Sequence, residues 1–309
     1  KDSVIVCTHA TLVRAFQEDP DSFKNCLVVI DEAHHICAHT ETQYSGLDNE
    51  TLDCIEEEDL DLEEDEYEIE EQKESNKDLQ NKLGAFLSHV LGQTEVEVGL
   101  TTATPFRGDK MDILPERDRA KFKTYKHAFD VFLRSCEYLK SLQYDFMFQD
   151  DTKSYFKALE CEFAKEEDKK TIIFIPHVSQ IEDKHDFVHN IYKAITRATS
   201  LKDVIVEDKK EYCLVYDSHR PEKKFKVLNL VDIENREAKK EYVKKAHDHN
   251  DGSMVDIIIA LNMFQEGASW RWGEKMFLIK ARNSLTQTIQ MVGRLFRDAP
   301  GKEEVCVKH

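Results

Sequence analysis

Leu27-Val28-Val29-Ile30-Asp31-Glu32-Ala33-His34-His35 is an apolar run that stops abruptly at two carboxylates and a pair of histidines. Four consecutive apolar residues predict a buried strand, and the polar residues then fall at its C-terminal edge. In open α/β sheets, ligands bind just beyond the carboxyl ends of the strands. Two adjacent carboxylates at such an edge suit a metal–nucleotide site, where one holds Mg2+ and the other orients and deprotonates a water. A strand ending in Asp-Glu also leads into an ordinary helix cap, so the neighbouring blocks have to separate the two readings.

Two further blocks are informative. Gly99-Leu100-Thr101-Thr102-Ala103-Thr104-Pro105-Phe106-Arg107-Gly108 follows a β-prone segment, Val96–Leu100, and is rich in small hydroxyl residues. On its own it is a strand ending in a threonine-rich turn closed by Pro105. Gln290-Met291-Val292-Gly293-Arg294-Leu295-Phe296-Arg297 places two arginines three apart on one helix face, with Gln290 one turn before Arg294. This is either a solvated basic helix end or a pair of arginines able to reach the phosphates of a nucleotide, as arginine fingers do.

Taken in order, these blocks resemble the superfamily 2 helicases and translocases. Asp31-Glu32-Ala33-His34 is similar to motif II, Thr102-Ala103-Thr104 to motif III, and Gln290-x-x-Gly293-Arg294-x-x-Arg297 to motif VI. Thr171-Ile172-Ile173-Phe174-Ile175-Pro176 resembles the first strand of the second lobe with motif IV. Asp256 to Gly267 resembles motif V, and Val4-Ile5-Val6-Cys7-Thr8-His9 resembles the strand and threonine of motif Ib. The Glu266-Gly267 form of motif V and the Gly-Arg-Leu-Phe-Arg-Asp form of motif VI are most similar to the DEAD/DEAH branch that includes restriction-enzyme motor subunits. The resemblance implies an α/β fold of two RecA-like parallel-sheet lobes with P-loop NTPase helicase architecture, and ATP with Mg2+ as cofactors.

The family binds ATP phosphates with Gly-x-x-x-x-Gly-Lys-[Ser/Thr] upstream of motif II. No glycine precedes Asp31, and the single Gly-Lys pair, Gly301-Lys302, is followed by Glu303 and lies after motif VI. The chain is expected to be a fragment whose first lobe is N-terminally incomplete, or alternatively a protein that has lost its P-loop. Alone, it is expected to be inactive and to bind ATP poorly.

The resemblance also implies roles. Asp31 holds Mg2+ through water, Glu32 orients the attacking water, and His34 couples the nucleotide site to motif III near Thr102 or Thr104. Gly267 lies at the nucleotide. Arg294 and Arg297 reach the γ-phosphate, supported by Gln290. Thr8, Thr102, Thr104 and Arg107 in the first lobe, with Pro176, His177 and Glu266 in the second, touch the nucleic-acid backbone. A track of hydroxyls, N–H groups and a few basic side chains does not read base sequence.

The net charge of −18 looks unsuited to a nucleic-acid partner, but the excess is local. Glu50 to Glu71 carries fourteen Asp and Glu and no Lys or Arg, and without it the net charge is −4. This stretch, within about residues 41–78, is predicted to be an inserted solvated or disordered segment. It is also a candidate contact for a protein partner, or a nucleic-acid mimic covering a basic cleft. The eight cysteines include no Cys-x-x-Cys pair and fit reduced thiols. His34, His35, Cys37 and His39 match no common zinc spacing. No run of eighteen apolar residues is present, so a soluble, cytoplasmic protein without a membrane partner is expected.

Periodicity predicts strands at Val4–Cys7, Leu27–Ile30, Val96–Leu100, Thr171–Ile175, Cys213–Tyr216, Val255–Ala260 and Lys275–Ile279. Helices are predicted at Thr11–Gln17, Leu79–Gly92, Phe129–Leu142, Tyr155–Phe163, Glu182–Thr196, Ile233–Asp248 and Ser284–Phe296. The first lobe is predicted to span 1–145 and the second 150–309. Asp203–Phe225 reads as an extra strand or hairpin of no obvious function. Trp270 and Trp272 stand where many relatives carry an Asp and then a Pro, and serve either as core packing or as a stacking surface for a base. The function expected is an ATP-dependent helicase or translocase, on DNA rather than RNA. The alternative is a non-catalytic helicase-like module that binds nucleic acid or protein.

Overall fold

The computed structural model describes residues 4–33, 36, 79–102, 114, 116–147, 152–165, 169–176, 183–231, 235–261, 270–279 and 285–309. Two compact units are present: residues 1–126 with 283–290, and residues 127–282 with 291–309. Both are α/β, as the sequence predicts.

In the first unit, helix α1 (His9–Glu18) starts where the Thr8 hydroxyl accepts the Thr11 N–H at 3.2 Å. It ends at Asp19, whose carboxylate caps a 3-10 turn at Pro20–Phe23. Strand β1 (Leu27–Ile30) runs parallel to β2 (Glu97–Leu100), with Val28 opposite Val98 and Ile30 opposite Leu100. Helix α2 (79–90) precedes β2 and buries Leu83, Phe86, Leu87 and Val90 against Val28, Ile30 and Val13. Phe86 meets Phe16 and Phe23 edge-to-face, at 5.2 and 5.1 Å between ring centroids.

Two expectations for this unit are corrected. β1 is not buried on both faces: Val28 and Ile30 point into the core while Leu27 and Val29 are exposed, the alternation of a strand covered on one side. Val4–Cys7 forms no strand. Val4, Ile5 and Val6 are exposed and pair with no strand among the described residues, and an apolar run becomes a strand only when a neighbour takes up its N–H and C=O groups.

Beyond this core lie a single turn α3 (Glu116–Arg119) and then the second unit, which starts with α4 (Phe129–Ser135). Its elements continue as β3 (Ser141–Asp145), α5 (Thr152–Phe163), β4 (Thr171–Phe174), α6 (Lys184–Thr196), β5 (Val204–Asp208), β6 (Cys213–Asp217) and β7 (Phe225–Asn229). They end with α7 (Arg236–Asp248), β8 (Ile257–Ala260), β9 (Lys275–Leu278), the part of α8 (Leu285–Leu295) from Met291 on, and β10 (Glu304–Lys308). The sheet order is β3-β10-β9-β4-β8-β7-β6-β5, parallel except for the antiparallel pairs β5–β6 and β6–β7. β4, β8 and β9 are buried at every position, which is why they are apolar throughout except at their first residues Thr171 and Lys275. Alternate residues feed two cores. Ile172, Phe174, Ile258 and Met276 meet Trp270, Trp272, Met291 and Leu295 on one face. Ile173, Ile257, Ile259 and Phe277 meet Phe187, Val188, Ile191 and Ile195 of α6 on the other.

The predicted helix over 129–142 stops at Ser135. Asp298 accepts the N–H groups of Glu137, Tyr138 and Leu139 at 2.8, 3.1 and 2.9 Å, and this turns the chain into edge strand β3 beside β10. Residues 127–145 therefore fall within the second compact unit, and of them Ser141–Asp145 joins its sheet. The extra hairpin expected between 203 and 225 is β5–β6. It is held to α6 by Arg220, which pairs with Asp217 at 3.1 Å and donates to the carbonyls of Thr196 and Arg197. Trp270 and Trp272 are 2% and 8% exposed, so they are core residues and offer no surface for a base to stack on. Added bulk at Gly252 would meet the Trp272 indole at 2.7 Å.

Candidate functional site

The register of β1 on β2 builds the first cluster. With Ile30 opposite Leu100, the next residues on each strand, Asp31 and Thr101, lie side by side. Thr101 N–H donates to Ile30 O at 2.9 Å, Ala33 N–H donates to Thr101 O at 2.9 Å, and the Thr101 hydroxyl donates to Asp31 Oδ1 at 2.5 Å. Thr101 thus makes three bonds across the end of β1 and fixes the Asp31 carboxylate. Between these ties Glu32 adopts φ 50°, a left-handed conformation that non-glycine residues rarely take and that surrounding hydrogen bonds must hold. His9 Nε2–H donates to the Asp31 carbonyl at 3.0 Å, linking the start of α1 to the same edge. Two carboxylates at a parallel strand's C-terminal edge, one oriented by a hydroxyl, fit a water-mediated Mg2+–nucleotide ligand set.

Thr101 and His9 were not singled out as site residues by the sequence reading. Within a Thr101-Thr102-x-Thr104 run, only the strand register says which hydroxyl reaches Asp31. Thr102 is exposed, and Thr8 is exposed as the α1 cap. Pro176 is buried just past β4, which sets its side chain away from solvent. His34, Thr104, Arg107, His177, Glu266 and Gly267 lie outside the described residues, as do His35, Cys37, His39 and the acidic stretch at 50–71. Among the described residues no cluster of three or more His, Cys, Asp or Glu side chains suits a metal, and the six described cysteines are free thiols. No helix among the described residues is long and apolar enough to cross a membrane.

The second cluster is built on α8. Met291, Val292 and Leu295 anchor the helix in the core, leaving Gln290 and Arg294 one turn apart on its partly exposed side. Arg297 is not on the helix as predicted, since α8 ends at Leu295 and Arg297 lies exposed in the following turn. That turn is fastened by a residue that carries no motif. Lys302 is 2% exposed, and its Nζ donates to the carbonyls of Leu295, Arg297 and Arg271 at 2.6, 2.9 and 2.9 Å. All three of its N–H bonds are used, two of them on the C-terminal end of α8, where a cation is favoured. Burial pushes the Lys302 pKa down to about 7, although Glu274 and Asp298 act to raise it. Phe296 packs on Phe129 at 4.7 Å.

No family model matches the chain. Over 308 residues, 97% of its length, the chain is 29% identical to the Bacillus subtilis (strain 168) protein named "Putative ATP-dependent helicase YeeB". It spans 42% of that protein. The crystal structure of a "hypothetical ATP-dependent RNA helicase" from Sulfolobus tokodaii aligns with 97% of this chain and 62% of that one, at 15% identity and a TM-score of 0.36.

Proposed function

We propose that this chain forms part of an ATP-dependent superfamily 2 helicase or translocase, with two RecA-like lobes, that acts on nucleic acid and on DNA in preference to RNA. The observation that carries this reading is the Asp31 carboxylate fixed by Thr101 at the end of β1. It is supported by similarity to a helicase that runs through 97% of the chain. Asp31 and Glu32 hold Mg2+ through water, and Glu32 also orients the attacking water and accepts its proton. Arg294 and Arg297 stabilise charge on the transferred phosphoryl group, with Gln290 in support. Bound ATP supplies the phosphoryl group and the free energy of its hydrolysis. The acidic stretch at 50–71 serves as a contact for a protein partner. In this reading the phosphate-binding loop comes from other residues of a longer polypeptide, and the 309-residue chain alone binds ATP poorly.

The test is ATP hydrolysis with and without single-stranded or duplex DNA, for this chain and for a version extended at its N-terminus to include a phosphate-binding loop. Hydrolysis stimulated by DNA in the extended version alone is the expected result. Tight ATP binding by the short chain would overturn the role given to the missing loop. An inactive extended protein that still binds DNA would replace the motor with a binding module.

Thr101→Val keeps the shape of the side chain and removes the donor to Asp31. Made in the extended version, its expected effect is a loss of about tenfold in hydrolysis, the size seen when a group that orients a metal ligand is removed. Thermal unfolding should be nearly unchanged, and a variant with full activity would remove Thr101 from the site.

A further inference from the structure

The β5–β6 hairpin, which the proposed motor does not use, closes a cavity of about 170 Å³ against α6 and the start of α7. His185 and His189 line it from α6, one turn apart. Asp208 comes from the end of β5, Asn229 from the end of β7, and Asn235 and Lys239 from the cap and first turns of α7. Lys239 is only 6% exposed, and its ammonium has no ion pair or hydrogen bond among the described residues. The Lys239 side chain is buried in the wall while its ammonium keeps contact with solvent in the cavity, which places the charge to attract an anion. Among the described residues of the wall the one carboxylate, Asp208, is engaged by the Lys210 N–H at 2.7 Å in the hairpin turn. Asn235 sits at φ 59° as the residue before α7 and makes no capping bond with its own side chain. The first-turn N–H groups of α7, a thirteen-residue helix, are therefore not taken up by that side chain.

We propose that this cavity is a binding site for a small phosphate-bearing ligand, with Lys239 as its cationic anchor and the side-chain amides and histidines as further contacts. The site lies wholly within the second unit and does not depend on the ATPase reading. The hairpin then has a purpose: its strands supply the outer wall that makes the ends of β7 and α6 concave.

The experiment is calorimetric titration of the full chain with inorganic phosphate at constant ionic strength, and with a short single-stranded oligonucleotide in parallel. Saturable phosphate binding is expected, weakened about tenfold or more in Lys239→Met and restored to within a few-fold in Lys239→Arg. It should be unchanged in an Arg294→Ala/Arg297→Ala double variant, which separates this cavity from the proposed nucleotide site. Asn235→Gly, which tolerates the left-handed backbone while deleting the amide, should weaken phosphate about threefold, and gives a second readout if Lys239→Met does not fold. Equal phosphate affinity in the wild type and in whichever of these variants folds, or no saturable binding at all, would overturn the proposal. So would a dependence on Lys239 seen only with the oligonucleotide, which would assign the anion to a strand backbone.

Discussion

Glu32→Gln in the N-terminally extended protein is expected to reduce DNA-stimulated ATP hydrolysis to background while leaving ATP binding intact. Glutamine matches glutamate in shape and accepts the same left-handed backbone at φ 50°, but it cannot take a proton from water. Arg294→Ala and Arg297→Ala are each expected to lower the hydrolysis rate by about 10³-fold, the lower end of what arginine fingers contribute. The two arginines are held differently. Arg294 rides on α8, whose other side is locked in the core by Met291 and Leu295. Arg297 follows the helix, and its backbone is pinned through its carbonyl to Lys302 Nζ. Alanine at 297 keeps that pin, so its loss of rate would report the guanidinium and not a loosened turn. Rates from single-turnover hydrolysis, with binding from a fluorescent nucleotide, separate the cases. Hydrolysis surviving Glu32→Gln would remove Glu32 as the base, and unchanged rates in both arginine variants would remove motif VI from the reaction.

The parts of this protein that could be read from sequence are those where burial is continuous. β4, β8 and β9 lie between two layers of side chains and are apolar at nearly every position, so no partner need be known to place them. β3 and β10 were missed for the opposite reason. Ser-Leu-Gln-Tyr-Asp is an edge strand of mixed polarity, and its pairing with Glu304–Lys308 spans some 160 residues, beyond the reach of local periodicity. The same holds at the candidate site. Asp31 and Glu32 announce themselves by following an apolar strand. The threonine that orients Asp31 is chosen by the β1–β2 register, which no local pattern encodes. Lys302 and Asp298 carry no local signature as buried or capping residues, because their partners are backbone groups that any sequence supplies.

Asp298→Ala is expected to destabilise the second unit by about 2–3 kcal/mol, lowering its unfolding midpoint by roughly 4–12 °C. The argument begins with the three N–H groups of Glu137, Tyr138 and Leu139, all satisfied by one carboxylate. Hydrogen bonds to a charged acceptor are worth more than neutral ones, but this carboxylate keeps some solvent contact, so the sum is discounted below three full bonds. Removing it releases the turn that ends α4 and starts β3, beside the fully buried Leu139. Burial acts to raise the Asp298 pKa, but the N–H groups of Leu139, Glu137 and Tyr138 outweigh it and hold the carboxyl below its ordinary value of 3.8. Because the folded pKa is depressed, the contribution is fully present above the unfolded value, near pH 4, and fades as the pH falls through the folded one. The gap in stability between wild type and Asp298→Asn should therefore be constant from pH 8 to 5 and close below pH 4, measured by urea unfolding. A gap that stays open in acid would mean that the difference does not come from the carboxylate's charge, and no gap at any pH would mean that Asp298 acts through its shape alone.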